Sequence, residues 1–125
     1  MMYPALSFLT YFLTACALLS VFVIIYVRTT PYNEFELIGQ NNTAAAVSLL
    51  GAVIGFAIAV GASIYFTHSL LEMIKWAGIT CLSQLLLFTL MRRYARAIER
   101  GDVAPAIFLA ALSISLGIFA AASIS

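Results

Sequence analysis

The segment IGQNNTAAAVSLLGAVIGFAIAVGASIY, residues 38–65, returns later in the chain and sets its architecture. Placed without a gap on residues 98–125, IERGDVAPAIFLAALSISLGIFAAASIS, it has nine identical positions. In each copy a polar turn residue, Asn42 or Asp102, precedes an apolar run long enough to cross a bilayer. The repeated unit is therefore predicted to be a loop followed by a membrane helix, with Asn42 and Asp102 as helix caps.

The composition indicates an integral membrane protein. Of 125 residues, 64% are hydrophobic and 9% are charged, and the mean hydropathy is +1.08. A water-soluble domain could not bury so much apolar surface. A net charge of +1 gives no reason to expect nucleic-acid binding. Cys16 and Cys81 lie in apolar runs without ligand spacing, so neither a metal nor a cofactor is predicted.

The apolar runs predict an all-α membrane protein with one domain, residues 1–125, and four transmembrane helices. Their predicted bounds are 5–27, 43–66, 70–91 and 103–122. They form a 2+2 tandem repeat, with units 5–66 and 69–125 related by an axis along the membrane normal. A short cytoplasmic amphipathic helix is predicted, with Thr30 as its cap, Pro31 at its first position, and Tyr32, Phe35 and Ile38 on its apolar side.

The basic residues predict the orientation of the chain. Arg28 and a cluster of four arginines lie on one side of the membrane, and Lys75 lies on the other. The positive-inside rule then places residues 28–42 and 91–102 in the cytoplasm and both termini on the outer side of the membrane. Loop residues predicted to contact lipid or a partner are Glu34, Glu36, Arg92, Arg93, Arg96 and Arg100. The alternative is that these arginines only set the topology.

Small residues form a stripe on the second and fourth helices. The stripe comprises Ala44, Gly51, Gly55 and Ala62, with the repeat equivalents Ala104, Ala111, Ser115 and Ala122. Small residues let membrane helices approach closely, so the stripe is predicted to pack helices and to form a homo-oligomer, with a pore lining as the alternative. On this interpretation Gly55→Leu should shift the mass of the protein in detergent.

The third helix carries a candidate polar path through the membrane. Its purely apolar part is too short to span the bilayer, so Glu72 and Lys75 are drawn towards the hydrocarbon edge. The path continues along one stripe through Thr80, Ser83 and Gln84. It is interpreted either as an ion or proton entry or as an interfacial helix end, with Gln84 as a hydrogen bond between helices.

Three motifs resemble the YjfL-like family of small bacterial inner-membrane proteins, a family of unknown function. They are TPYNE at 30–34 followed by Leu37 and Ile38, NTAAA at 42–46 leading to Gly51 and Gly55, and GDVA at 101–104 followed by IFLAALS at 107–113. The resemblance implies four helices in two tandem units. Through genes that neighbour family members, it also suggests a link to envelope stress, to proteins related to phage-shock proteins, and to polyamine or peptide-ligase enzymes. Asp102 and Pro105 depart from the family's pattern.

The function expected from these observations is that of a non-enzymatic scaffold in an envelope-stress system. Its partners would be membrane lipids, further copies of the chain and a cytoplasmic membrane-stress protein. The alternative is a small oligomeric channel for ions or protons, or a transporter of small, polyamine-like cations, using the third helix. An enzyme is not expected, because the sequence offers no Ser/His/Asp set, metal constellation or paired carboxylates facing a pocket.

Overall fold

A computed structural model describes residues 4–30 and 32–124, and over these residues the chain is helical apart from turns. The helices are α1 (Pro4–Thr29), α2 (Glu34–Gly39), α3 (Thr43–Thr67), α4 (Leu70–Leu90), α5 (Ala95–Glu99) and α6 (Val103–Ile124), with a 3₁₀ turn at Arg92–Tyr94. Helices α1, α3, α4 and α6 are long and apolar enough to cross a membrane. The all-α class is thus confirmed, with four candidate membrane-spanning helices whose ends lie within two residues of the predicted bounds.

Helices α3 and α6 form the centre of the bundle and run parallel to each other. Gly51 lies against Ala110, and further along both helices Gly55 lies against Ser113 and Gly117. A Cβ atom built on Gly117 would be 2.1 Å from the Gly55 carbonyl oxygen, and one on Gly51 would be 2.4 Å from the Ala110 Cα. Glycine is therefore required at this crossing, where the two backbones touch.

The face that α6 turns to α3 differs from the predicted stripe. Ala104, Ala111 and Ala122 are exposed and Ser115 is half-buried, whereas Ala106, Ala110, Ser113 and Gly117 are buried. These four repeat the spacing of Ala44, Ser48, Gly51 and Gly55, but two residues further along than the ungapped repeat alignment placed them. The predicted packing face of α6 is therefore wrong by two residues for contacts within one chain. The repeat itself and any contact between copies stay predictions.

Helices α1 and α4 flank this pair through aromatic side chains. The Phe22 ring stacks on Phe56 of α3 at a centroid distance of 4.3 Å, and Tyr26 meets the edge of Phe88 of α4 at 5.7 Å. Phe22 and Tyr26 are the buried residues of α1. The rest of α1 exposes apolar side chains such as Phe8 and Leu13, as expected of a helix surrounded by lipid.

The short helix α2 is oriented differently from the predicted amphipathic helix. Asn33 caps it by accepting a hydrogen bond from the Glu36 backbone N–H at 3.1 Å, and Gly39 is its last residue. Pro31, predicted to begin the helix, lies outside the described residues. Phe35 is 58% exposed and Glu34 is fully buried, so the side that faces the bundle carries an acid where the apolar pattern placed an aromatic ring.

Asn42 links the start of α3 to the end of α5. Its Oδ1 accepts a hydrogen bond from the Ala45 N–H at 3.0 Å and so caps α3. Its Nδ2 donates to the carbonyl oxygens of Ile98 at 3.3 Å and Glu99 at 3.0 Å, which lie at the end of α5. The predicted counterpart, Asp102, has its carboxylate in a surface ion pair with Arg100 at 3.0 Å. The two residues predicted as caps thus hold different partners.

We expect Asn42→Ala to lower the free energy of unfolding by about 1–2 kcal/mol, because it removes both a helix cap and the link to α5. Asn42→Ser keeps a capping oxygen but cannot reach both carbonyls, so it should fall between Asn42→Ala and the wild type. Thermal unfolding in detergent measures both. Equal stability of Asn42→Ala and the wild type would contradict the link.

Candidate functional site

Glu34 is buried in a cluster of hydroxyl groups at the end of the bundle where α2 and α5 lie. Its exposed fraction is 0%, and neither carboxylate oxygen has a hydrogen-bond partner among the described residues. We call Tyr26, Thr30, Tyr32, Glu34 and Ser48 the Glu34 cluster. A buried carboxylate without a partner is among the least favourable arrangements in a protein, so this position requires an explanation.

The Glu34 cluster is assembled from four segments of the chain. Tyr26 lies in the last turn of α1, Thr30 and Tyr32 follow that helix, Glu34 is the first residue of α2, and Ser48 lies in the second turn of α3 and is buried. The Thr30 hydroxyl donates to the carbonyl of Val27 at 2.8 Å, with the Tyr32 carbonyl at 3.1 Å. This hydrogen bonding folds the linker back on α1 and carries α2 against the bundle.

The hydroxyl groups of the cluster lie near one another without being paired. Ser48 is close enough to interact with both phenols, and Thr30 with the carboxylate. Even so, the phenol oxygens of Tyr26 and Tyr32 and the Ser48 Oγ form no hydrogen bond to any described residue. A contact outside hydrogen-bond geometry does not satisfy a buried oxygen, so these atoms are unpaired.

Burial changes the protonation of the cluster. Desolvation raises the pKa of Glu34 from 4.5 to about 7, and the nearby Thr30 hydroxyl offsets only part of this effect. Burial, and then the charge of Glu34, raises the pKa of Tyr32. At neutral pH the Glu34 carboxyl is therefore poised between its neutral and charged forms, while the phenol keeps its proton.

An open groove of about 560 Å³ reaches the cluster from the surface. Its walls include Thr30 and Tyr32, and Arg28, Asn33 and the exposed Phe35 line its mouth. Thr30 and Tyr32 are only 8% and 6% exposed, so the groove reaches the cluster through two of its nearly buried members.

These findings correct the prediction for Glu34, which was expected to be an accessible loop contact like Glu36. Glu36 is exposed, but Glu34 is not. The reason is that Asn33 starts α2 one residue before Glu34, which turns that side chain towards α1 and α3. The available sequence signal was the presence of Tyr26 and Ser48 in otherwise apolar runs, and it did not by itself indicate which acid they would surround.

The predicted arginine loop is folded rather than irregular. Arg92, Arg93, Arg96 and Arg100 are all exposed along the 3₁₀ turn and α5, and we call them the arginine surface. The opposite side of this segment buries Ala95 and Ile98. Among the described residues, Arg100 alone of these four pairs with an acid, and the Arg93 guanidinium donates to the Tyr94 hydroxyl at 3.1 Å.

The five residues of the predicted polar path do not form a continuous line. Glu72 and Lys75 form an ion pair with each other at 2.8 Å, and their side chains are 38% and 52% exposed. Thr80 and Gln84 are buried, whereas Ser83 is half-buried. The hydroxyls of Thr80 and Ser83 donate to carbonyls of their own helix. The charged end of the stripe therefore lies apart from its buried end.

Gln84 joins α4 to the central helix pair. Its Nε2 donates to the Ser113 carbonyl of α6 at 2.9 Å, close to Gly55 of α3. Its Oε1 is buried and has no hydrogen-bond partner among the described residues. This is the geometry expected of a polar side chain that holds membrane helices together.

The fold and this site define a multi-pass, all-helical membrane protein. The chain matches the family described as Domain of Unknown Function (DUF350) over residues 1–124, and it belongs to that family. It is 33% identical over 121 residues to the UPF0719 inner membrane protein YjfL of Escherichia coli K12, covering 94% of this chain and 92% of the relative. The protein of the same name in Escherichia coli O157:H7 matches equally well. No solved structure matches the chain. The family resemblance is thus confirmed, and the chain is a multi-pass inner-membrane protein.

Proposed function

We propose that this protein is a non-enzymatic scaffold of the inner membrane that binds anionic lipid headgroups through the arginine surface. The observation that carries the proposal is the exposure of four arginines on one short folded segment. Basic residues at the membrane surface are attracted to anionic headgroups by about 1 kcal/mol each. In the cell this surface would face the cytoplasm, in accordance with the positive-inside rule.

The support for a scaffold lies in how firmly the arginines are held. Ile98 is 0% exposed and Ala95 is 6% exposed, so the backbone of α5 is anchored in the core. Asn42 binds the carbonyl groups at the end of α5 from the start of α3. Cations on an anchored backbone lose less conformational freedom on binding than cations on a mobile loop. Association of several copies, and recruitment of a cytoplasmic membrane-stress protein to the same surface, belong to this proposal.

Replacing Arg92, Arg93 and Arg96 together by glutamine should weaken binding of phosphatidylglycerol by about a hundredfold, since about 1 kcal/mol is lost at each position. Arg100 is left in place because it pairs with Asp102. Native mass spectrometry of the detergent-solubilised protein, titrated with phosphatidylglycerol, gives the affinity. Lys75→Gln, at the other end of the bundle, is the control. A triple variant that binds phosphatidylglycerol like the wild type would contradict the proposal.

The second candidate function is conduction of ions or protons by an oligomer. The observation favouring it is the buried, unpaired Gln84 Oε1 on the same face of α4 as the buried Thr80. The Glu72–Lys75 pair lies apart from this buried face. For an oligomer to conduct, a neighbouring copy would have to complete the path between them.

Flux measurements in proteoliposomes test conduction directly. If the third membrane helix, α4, conducts, Glu72→Gln at equal protein density should reduce cation or proton flux, because it removes the negative charge at the entrance. This substitution leaves the capping residue of α4, Ser69, in place, so the start of the helix should be preserved. Flux no greater than that of empty liposomes under salt and pH gradients would reject this candidate and leave the scaffold.

A further inference from the structure

The Glu34 cluster concentrates oxygen atoms that nothing in the described chain satisfies. Both carboxylate oxygens of Glu34, the phenol oxygens of Tyr26 and Tyr32 and the Ser48 Oγ are all buried without a hydrogen-bond partner. Buried polar atoms are nearly always paired, so five unpaired oxygens in one place are exceptional. They come from α1, the linker, α2 and α3, and a ligand between them would therefore join four separate segments.

Among the described residues, no lysine or arginine forms an ion pair with Glu34. The described lysine and arginine ion pairs are those of Lys75 with Glu72 and of Arg100 with Asp102. The groups that face the cluster are the phenol of Tyr26 from α1, the hydroxyl of Ser48 from α3, the ring of Phe88 from α4 and, acting on Tyr32, the Glu99 carboxylate from α5. None of these groups is a cation. When Glu34 is ionised, its charge is therefore not balanced by any of these groups.

We propose that the Glu34 cluster is a binding site for one small monovalent cation, with the Glu34 carboxylate and the hydroxyls of Tyr26, Tyr32 and Ser48 as its ligands. The ligand atoms are all oxygen, which hard cations prefer over soft ones. One carboxylate balances one positive charge, so a divalent ion would leave a net charge buried in the site. A proton on the carboxyl group and a bound Na⁺ are two sources of the same charge.

The groove beside the cluster provides the entry. Thr30 and Tyr32 of the cluster line this groove together with Arg28, which is exposed. This site is independent of the arginine surface, so either proposal can fail without the other.

The experiment is labelling of the full-length protein with dicyclohexylcarbodiimide, which is apolar and reacts with protonated carboxyl groups. The carboxyl O–H adds across one C=N bond, and the O-acylisourea then rearranges to a stable N-acylurea without loss of atoms. Mass spectrometry reads the labelling at Glu34 and at the exposed Glu36, which is the internal control. The protein is labelled in detergent between about pH 6 and about pH 8.5, in NaCl or in choline chloride of equal ionic strength.

We expect Glu34 to be labelled in preference to Glu36, and we expect this labelling to fall about tenfold or more as the pH rises through about 7. If Na⁺ is a ligand, NaCl will reduce the labelling at constant pH relative to choline chloride. Equal labelling in the two salts would show that only a proton binds and would overturn the cation site. Labelling of Glu34 that is no faster than that of Glu36, or is independent of pH in both salts, would overturn the proposal.

Ser48→Ala tests whether the hydroxyl groups are ligands. It removes one oxygen atom and leaves the carboxyl group and the fold in place, because alanine is readily accommodated in a helix. The pH midpoint of Glu34 labelling should move in this variant, or the protection by Na⁺ should weaken. An unchanged midpoint together with unchanged protection would overturn the assignment of Ser48 as a ligand.

Discussion

Replacement of Gly117 by alanine is expected to destabilise the protein by about 1–3 kcal/mol, the range for overpacking a tightly packed core. The added methyl group would lie 2.1 Å from the Gly55 carbonyl oxygen and 2.4 Å from the Gly55 Cα. Both atoms are backbone, so no side-chain rotation can relieve the overlap. Helices α3 and α6 must then move apart along their whole contact. Thermal unfolding in detergent measures the loss.

Two other glycines provide matched controls for Gly117→Ala. A Cβ atom on Gly61 of α3 or Gly78 of α4 would meet nothing within 4 Å. Gly61→Ala and Gly78→Ala should therefore leave stability unchanged within about 0.5 kcal/mol or raise it slightly, because alanine favours the helix. If Gly117→Ala unfolds at the same temperature as these controls, the close contact of α3 and α6 is not present.

The close contact of α3 with α6 changes how a result for Gly55→Leu must be interpreted. The space beside Gly55 is occupied by the Ser113 backbone and the Gln84 side chain, and Gly117 packs against it. A leucine there would disrupt the fold of one chain before it altered contacts between chains. A shift in mass would therefore not identify an oligomer interface. Exposed positions of the predicted stripe, Ala104 and Ala111, are the appropriate sites for that test.

Glu34→Gln is expected to make the protein more stable than the wild type at about pH 8.5 in sodium-free buffer. The folded protein holds the Glu34 pKa at about 7, against 4.5 for an unperturbed carboxyl group. Between these values the folded state binds more protons than the unfolded state, so stability falls as the pH rises. Above pH 7 the full loss is about 3 kcal/mol. Glutamine is neutral throughout and avoids it.

Thermal unfolding at about pH 5 and about pH 8.5 distinguishes this effect from a general one. Near pH 5, where the folded Glu34 is protonated, Glu34→Gln and the wild type should have similar stability. Glu36 lies two residues further along α2 and is exposed, so Glu36→Gln should follow the wild type at both pH values. A wild-type advantage over Glu34→Gln at about pH 8.5 would show that the charged carboxylate is favourably bound in sodium-free buffer.

The long helices and the N-terminal cap of α3 are accessible to sequence analysis because they depend on local features. Apolar runs of sufficient length give the four spans, and Asn42 before a run of alanines marks the start of α3. The face used in packing was less accessible. Helix α6 carries small residues on several of its sides, so the sequence does not indicate which side packs. The repeat alignment favoured the side with Ala104 and Ala111, whereas the side that contacts α3 carries Ala110 and Gly117.

The Glu34 cluster depends on long-range contacts that the sequence does not encode locally. Glu34 lies in a polar linker beside Glu36, and the two acids have similar neighbours in the sequence. One is buried because α2 folds back onto Tyr26 of α1 and Ser48 of α3. The separation of Glu72 and Lys75 from the interior has a similar origin: they pair with each other at the start of α4, while Gln84 is drawn into the contact with α6.

The most direct test of the buried acid is infrared difference spectroscopy of the protein in lipid as the pH is raised from about 6 to about 8.5. The structure predicts loss of a protonated carboxyl C=O band with a midpoint near pH 7, and absence of this band from Glu34→Gln. Glu36→Gln should retain it. Identical difference spectra for the wild type and Glu34→Gln would contradict the account, because Glu34 would then not be the buried group that titrates at neutral pH.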